Sequence, residues 1–169
     1  SQVRIVVSDA TTERALLDLN PLVDEVVQLA EIDLRGSTQR LELELAPDLP
    51  SFLGDGVQIQ QVLMNLIRNA AEAMRESGSG EEVRVSTRLG ADGMLELCVS
   101  DQGPGVAPEV EARLFDPFMT TNSQGMGLGL SICKSIMQAH AGDLTYRRRA
   151  GGGAQFLARL PVAPDQDIE

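Results

Sequence analysis

Tryptophan is absent from the 169 residues, and aromatic residues together make up only 3%. Any core must therefore be aliphatic, and the 43% hydrophobic content is enough to build one. Cations are also scarce: 14 Lys and Arg stand against 25 Asp and Glu, for a formal net charge of -11. That excludes the broad basic surface needed for nonspecific binding of nucleic acid or an anionic membrane. It leaves room for one small anion held by backbone amides and a metal. The single basic run, Arg147, Arg148 and Arg149, falls in a predicted strand and reads as a solvated face. There are two cysteines, Cys98 and Cys133, too few for a disulfide framework and with no ligand cluster around either. They read as buried free thiols of a reducing compartment. No signal peptide is visible, and no apolar run approaches the ~20 residues of a membrane span. Histidine occurs once, as His140.

The length suits one domain with one substantial core. Residues 1–13 are weakly patterned and are assigned to a linker, the domain to 14–161, and 162–169 to a disordered tail. A short strand is expected at 14–19. Asn20 and Pro21 are expected to start a helix, Asn as cap and Pro in the first turn, with a stripe of Val23, Val26, Val27, Ala30 and Leu34. Residues 41–45, LELEL, alternate as a half-buried strand. Asp55 is placed to cap a second helix running to about Glu76, with Val62, Leu63, Leu66, Ile67, Ala70 and Met74 as its core stripe. Residues 83–89 and 94–100 read as a hairpin, as do 143–149 and 154–160. A short helix is expected near 108–114. Strands clustered in hairpins predict a mixed, mostly antiparallel sheet with helices on one face, an α+β sandwich of two layers.

The stretch that organises the chain is 125–142, GMGLGLSICKSIMQAHAG. Gly125, Gly127 and Gly129 run into a helical pattern whose Leu128, Ile132, Ile136 and Ala139 are expected to share one face. The first N–H groups of a helix lack internal partners and form its positive end, and glycines let a phosphate approach them. Such glycines serve equally well in turns and close helix packing. On the helix at 55–76, Gln58, Asn65, Asn69 and Glu72 form a polar ridge beside the apolar stripe. The two asparagines are either boundary amides or oxygen ligands for a hard cation such as Mg²⁺. Asp101, Gly103 and Gly105 follow a strand whose Leu95, Leu97 and Val99 point one way. The segment is either a strand-ending turn or a pocket in which a carboxylate meets an exocyclic amine.

Taken together, NLIRNAAEAM, DQGPGV, LFDPFMTT and GMGLGLSI resemble, in order and spacing, the N, G1, F and G2 boxes of the catalytic ATP-binding domain of sensor histidine kinases. The likeness extends over about residues 20–161, and its N box resembles those of oxygen-sensing and nitrogen-regulatory kinases. The resemblance implies a Bergerat fold, with about five strands, three main helices on one face and a lid at about 104–126. It implies ATP and Mg²⁺ as ligands. Asn69 would hold the metal and Asn65 would support it near the phosphates. Asp101 would bind the adenine amine in a pocket shaped by Gly103 and Gly105. Thr120, Thr121, Gly125, Met126, Gly127, Leu128, Gly129 and Leu130 would line the triphosphate, while Phe115 and Phe118 would anchor the lid.

Two positions depart from the family pattern. Asn122 follows the paired threonines where a lysine is common, and Glu72 stands where many N boxes carry a basic residue. No His-Glu phosphoacceptor motif is present, and His140 reads as a structural residue at a helix end. The resemblance therefore implies a donor half. Its γ-phosphate would go to a histidine on a separate dimerisation domain, with a response regulator downstream. Nucleic acid and direct membrane contact are not expected. A cytoplasmic, monomeric chain cut from a longer parent is expected, with the parent's membrane attachment open. A nucleotide-sensing pseudokinase is the alternative, as is an ATP-hydrolysing relative, although relatives of that kind carry a glutamate where this chain has Asn65.

Overall fold

The alternation of valine and leucine with polar residues writes the main sheet. β5 (Glu82–Leu89) and β6 (Leu95–Ser100) pair antiparallel across the 90–93 turn. β7 (Asp143–Arg148) and β8 (Ala154–Leu160) form the second hairpin, and β8 also pairs with β6. β3 (Arg40–Leu45) adds to β5 in parallel, so the strand order is β3-β5-β6-β8-β7. A computed structural model of the chain describes residues 3–6, 13–117 and 126–164.

One face of this sheet is dry. Val83, Val85, Leu95, Leu97, Val99, Leu144, Phe156, Ala158 and Leu160 are all buried there. Three helices cover the sheet. α1 (Leu19–Asp33) lies over β3, α2 (Gly56–Ser77) over β5 and β6, and α4 (Met126–Ala139) over β7 and β8, while α3 (Pro108–Glu111) is a single short turn. α2 is the central helix because its apolar stripe is complete: Ile59, Val62, Leu63, Leu66, Ile67, Ala70 and Met74 are all buried. Each such side chain contributes about 1.5–3 kcal/mol by leaving water. The ends of α2 are fixed as its sequence suggests. The Asp55 carboxylate accepts from the Gln58 N–H at 3.2 Å. Gly78 turns left-handed at φ 72 and returns its N–H to the Met74 carbonyl.

Several expectations need correction. Asn20 does not cap α1, which begins at Leu19 behind Asp18. Its amide instead donates to the Ala46 carbonyl at 2.7 Å and accepts from the Thr87 hydroxyl at 2.8 Å. This ties α1 to β3 and β5, a long-range use that local capping rules cannot anticipate. The segment assigned to a linker contains β1 (Val3–Val6), which pairs with β2 (Glu13–Leu17). β4 (Phe52–Gly54) completes a second, three-stranded sheet in the order β1-β2-β4. The buried stripe of α4 is Leu130, Cys133, Ile136 and Met137, whereas Ile132 and Ala139 face solvent. The expected face was rotated because the helix packs on two sides at once, against α2 and against β7. No described helix is long and apolar enough to cross a membrane.

Candidate functional site

The polar ridge of α2, the end of β6 and the start of α4 meet at a cavity of about 550 Å³. Asn69, Asp101, Gly105 and Leu130 line it, four residues that the sequence reading selected from separate segments. Gln58, Asn65, Asn69 and Glu72 are half-buried, as a ridge at the edge of an apolar stripe should be. Asn65 lies beside the opening turn of α4. Its amide donates to the Cys133 thiol at 3.6 Å, and a Cβ added at Gly129 would stand in ordinary contact with Asn65 Oδ1, at 3.7 Å. The Asn69 amide has no hydrogen-bond partner among the described residues.

Asp101 is 4% exposed at the cavity wall. One carboxylate oxygen accepts from the Gly103 N–H at 2.8 Å, so Gly103 serves Asp101 directly. Burial pushes the Asp101 pKa above the usual carboxylate range. The Gly103 and Ala154 backbone contacts and the Arg149 guanidinium oppose that rise without cancelling it. A buried carboxylate with an open cavity in front of it is suited to an exocyclic amine, which replaces the lost water as a donor.

Phe115 is held from β8 and α4. Phe115 meets Phe156 edge to face, with ring centroids 6.2 Å apart, and the Lys134 ammonium sits 4.8 Å from the Phe115 ring centre. Lys134 also pairs with Asp143 at 3.0 Å and donates to the Leu144 carbonyl at 2.8 Å. Phe118, Thr120, Thr121, Asn122 and Gly125 lie outside the described residues. Met126, Gly127 and Leu128 form the first turn of α4 as backbone. Both cysteines are free. Burial raises the Cys133 pKa to about 11, so it is a thiol under the site and not a nucleophile.

His140 is structural, as its helix-end position suggested. It is 3% exposed, its Nε2 accepts from the Asp55 N–H at 3.0 Å, and its Nδ1 is 2.8 Å from the Ile136 carbonyl. These partners require the neutral ring with its proton on Nδ1.

Other contributors were not foreseen. Ala73 continues the ridge one turn beyond Asn69, and helical spacing alone could have found it. Tyr146, the only tyrosine, and Phe156 form the far wall, brought in by strand pairing that local sequence does not reveal. The basic run is exposed but is more than a solvated face. Arg148 donates to the carbonyls of Pro104 and Val106, and Arg149 to that of Asp101.

Residues 54–164 match the family described as histidine kinase-, DNA gyrase B- and HSP90-like ATPase. The chain is 40% identical over 163 residues to the C4-dicarboxylate transport sensor protein DctS of Rhodobacter capsulatus, covering 95% of this chain and 24% of that protein. It is 41% identical over 164 residues to the sensor protein FixL of Bradyrhizobium diazoefficiens, covering 97% and 32%. It thus spans about a quarter of the length of the first of these curated relatives and about a third of the second. The nucleotide-free catalytic domain of histidine kinase ThkA superposes with a TM-score of 0.75 at 31% identity, covering 89% of this chain and 97% of that one.

Proposed function

The chain belongs to the family of histidine kinase-, DNA gyrase B- and HSP90-like ATPases and is an ATP-binding catalytic domain of the sensor histidine kinase type. From that premise we propose that its cavity holds Mg²⁺-ATP and delivers the γ-phosphoryl group to a histidine on a separate dimerisation domain. One observation carries this reading: Asn69, Asp101, Gly105 and Leu130, spread over three boxes of the sequence, line a single cavity.

Each side chain then has a task. Asp101 accepts a hydrogen bond from the adenine amine, and Phe156 and Tyr146 face the base as apolar wall. The phosphates would extend toward the opening turn of α4, where the Gly127 and Leu128 backbone N–H groups precede the first full helical hydrogen bonds and Gly129 and Leu130 follow. Gly125 is assigned to the same phosphates from the sequence. Thr120 and Thr121 are assigned to the same phosphates from the lid. Asn69 presents a neutral amide oxygen with no hydrogen-bond partner among the described residues, which fits one ligand position of a hard cation. No group of three acidic, His or Cys side chains could hold a metal among the described residues. A magnesium ion bound there would take its remaining ligands from phosphate and water, and would offset phosphate charge.

The acceptor imidazole is its own nucleophile: its nitrogen forms the new bond to the γ-phosphorus as the bond to the β-phosphate oxygen breaks and ADP leaves. The chain's contribution is position and electrostatics. Asn65 cannot take a proton from water, so steady ATP hydrolysis is not expected from this site. The partners proposed are a dimerisation domain carrying the acceptor histidine and, after it, a response regulator.

Calorimetry with ADP and Mg²⁺ tests the binding half. Asn69→Ala should lose most of the magnesium-dependent affinity while retaining metal-independent binding. A dimerisation domain added in trans should acquire acid-labile phosphate on histidine. A wild-type chain that binds no adenine nucleotide overturns the proposal.

A further inference from the structure

The loop at residues 101–106 forms the base side of the cavity and leads into the lid, yet little of its own backbone holds it. The Asp101 N–H reaches the Ala154 carbonyl at 2.9 Å. From residue 102 to 106, no backbone group bonds another backbone group among the described residues. The fastenings are side chains. Two come from within or beside the loop: the Asp101 carboxylate takes the Gly103 N–H, and Met74 Sδ takes the Gln102 N–H at 3.4 Å. Those nearer the lid come from one strand.

Tyr146 and Arg148 are two apart on β7, so their side chains leave the same face of the strand. Arg147, between them, points away and pairs with Gln155. The Val106 N–H donates to the Tyr146 hydroxyl at 2.9 Å. The Arg148 guanidinium spans two carbonyls, donating through Nη1 to Pro104 at 3.1 Å and through Nη2 to Val106. Between those carbonyls Gly105 turns at φ 75, and a Cβ there would stand 2.9 Å from the Tyr146 hydroxyl. The turn lies flat on the tyrosine because it has no side chain at that point. Tyr146 and Gly105 both line the cavity. The tyrosine ring rests 5.3 Å from that of Phe156.

We propose that Tyr146 and Arg148 form a clamp on residues 104–106 that fixes one wall of the cavity, Arg148 acting as a positioning residue for nucleotide. The consequence for nucleotide rests on the function proposed above, whereas the clamp itself does not. The planar fork of arginine suits two carbonyls two residues apart. A lysine ammonium keeps the charge but can hold only one of them well. Arg148 need not touch the ligand to act. Releasing the turn lets Gly105 and Val106 leave the wall, so bound nucleotide escapes faster.

Two measurements separate the clamp from the function. In the ligand-free chain, the Val106 amide should exchange with solvent at least about tenfold faster in Tyr146→Phe and in Arg148→Ala than in wild type, with the core amides of α2 and β6 unchanged. Unchanged exchange at Val106 in both variants overturns the clamp whatever the ligand is. With ADP and Mg²⁺, stopped-flow dissociation should be about tenfold faster in Arg148→Ala, with the association rate nearly unchanged, and Arg148→Lys should lie between. Equal dissociation rates for wild type and Arg148→Ala overturn the positioning role. If Arg148→Lys matches wild type, charge alone suffices and the two-carbonyl fork is wrong. If wild type binds no ADP, the proposed function fails, and the exchange experiment still judges the clamp.

Discussion

Asp101 carries opposed demands in one side chain. Burial raises its pKa, so in the free domain an ionised Asp101 costs stability. The sign follows: its favourable share is present below the ordinary carboxylate pKa and is lost as pH rises through the raised value. Ligand binding runs the other way, because the ionised form is the better acceptor for an amine. Asp101→Asn should therefore fold at least as well as wild type at neutral pH, since an amide oxygen can still accept from the Gly103 N–H. The same variant should bind ADP at least ~10-fold more weakly, because its amide nitrogen would face the adenine amine donor to donor. Thermal melts and titration calorimetry on one sample check both halves. Acidification should weaken ADP binding to wild type from a pH above the ordinary Asp midpoint of about 3.9, a slope that Asp101→Asn should lack. Gly142 shows a purely structural demand: a Cβ there would lie 1.9 Å from the Arg159 carbonyl oxygen, and neither backbone can yield. Gly142→Ala should cost roughly 2–4 kcal/mol in a denaturant titration. That Asn69 and Asp101 would meet at one cavity was legible through the resemblance of their boxes, since spacing alone left each open between a ligand and a boundary or turn residue. Gly142 was not, since the atom that excludes a Cβ lies on the next hairpin strand.

Among the elements, α4 carries glycines that cost it helix stability and that the proposed function assigns to phosphate binding. Its first turn holds Gly127 and Gly129, each costing about 1 kcal/mol relative to alanine in a helix interior. A methyl at Gly129 meets only Asn65, at an ordinary contact distance of 3.7 Å. Gly129→Ala should therefore leave the fold intact and raise the melting temperature slightly, while weakening ATP binding by roughly tenfold or more, because the methyl occupies space a phosphate needs to reach the backbone N–H groups. Opposite signs for stability and affinity are the signature to look for. A variant that gains stability and binds ATP normally would remove Gly129 from the phosphate site. α2 was legible almost residue by residue, because a cap, a complete apolar stripe and a terminal glycine all agree. The buried face of α4 was misjudged because two packing partners blur a single stripe. β4 was missed because three residues carry no period, and β1 because its partner β2 lies beyond residues 7–12.

At the scale of the whole molecule, hairpin order and aliphatic alternation were enough to place a mixed sheet under helices, but not the second sheet or what joins it to the first. One tie of the second sheet to the helical layer over the first is His140. It closes the C-terminal end of α4 through the Ile136 carbonyl and receives the Asp55 N–H at the start of α2, just after β4. Beside it Arg14 of β2 donates to the Ala139 carbonyl at 2.7 Å. Burial lowers the His140 pKa, and the Arg14 charge lowers it further. The Ile136 carbonyl and the Asp55 carboxylate pull it up without restoring the ordinary value. A depressed histidine pKa contributes stability that is full above the unfolded value of about 6.5 and is lost as pH falls toward the folded one. Protonation would also turn Nε2 into a donor facing the Asp55 N–H, breaking that tie. Denaturant midpoints should hence decline in wild type as pH falls below about 6.5. His140→Ala should cost about 2–3 kcal/mol at neutral pH by leaving the Asp55 N–H unpaired and a cavity beneath α4, and should lack that part of the decline. Because Asp55 caps the helix that carries Asn65 and Asn69, the wild-type loss should be accompanied by weaker ADP binding over the same pH range. A midpoint decline of equal size in both proteins would assign the acid sensitivity to carboxylates elsewhere and leave His140 as packing alone.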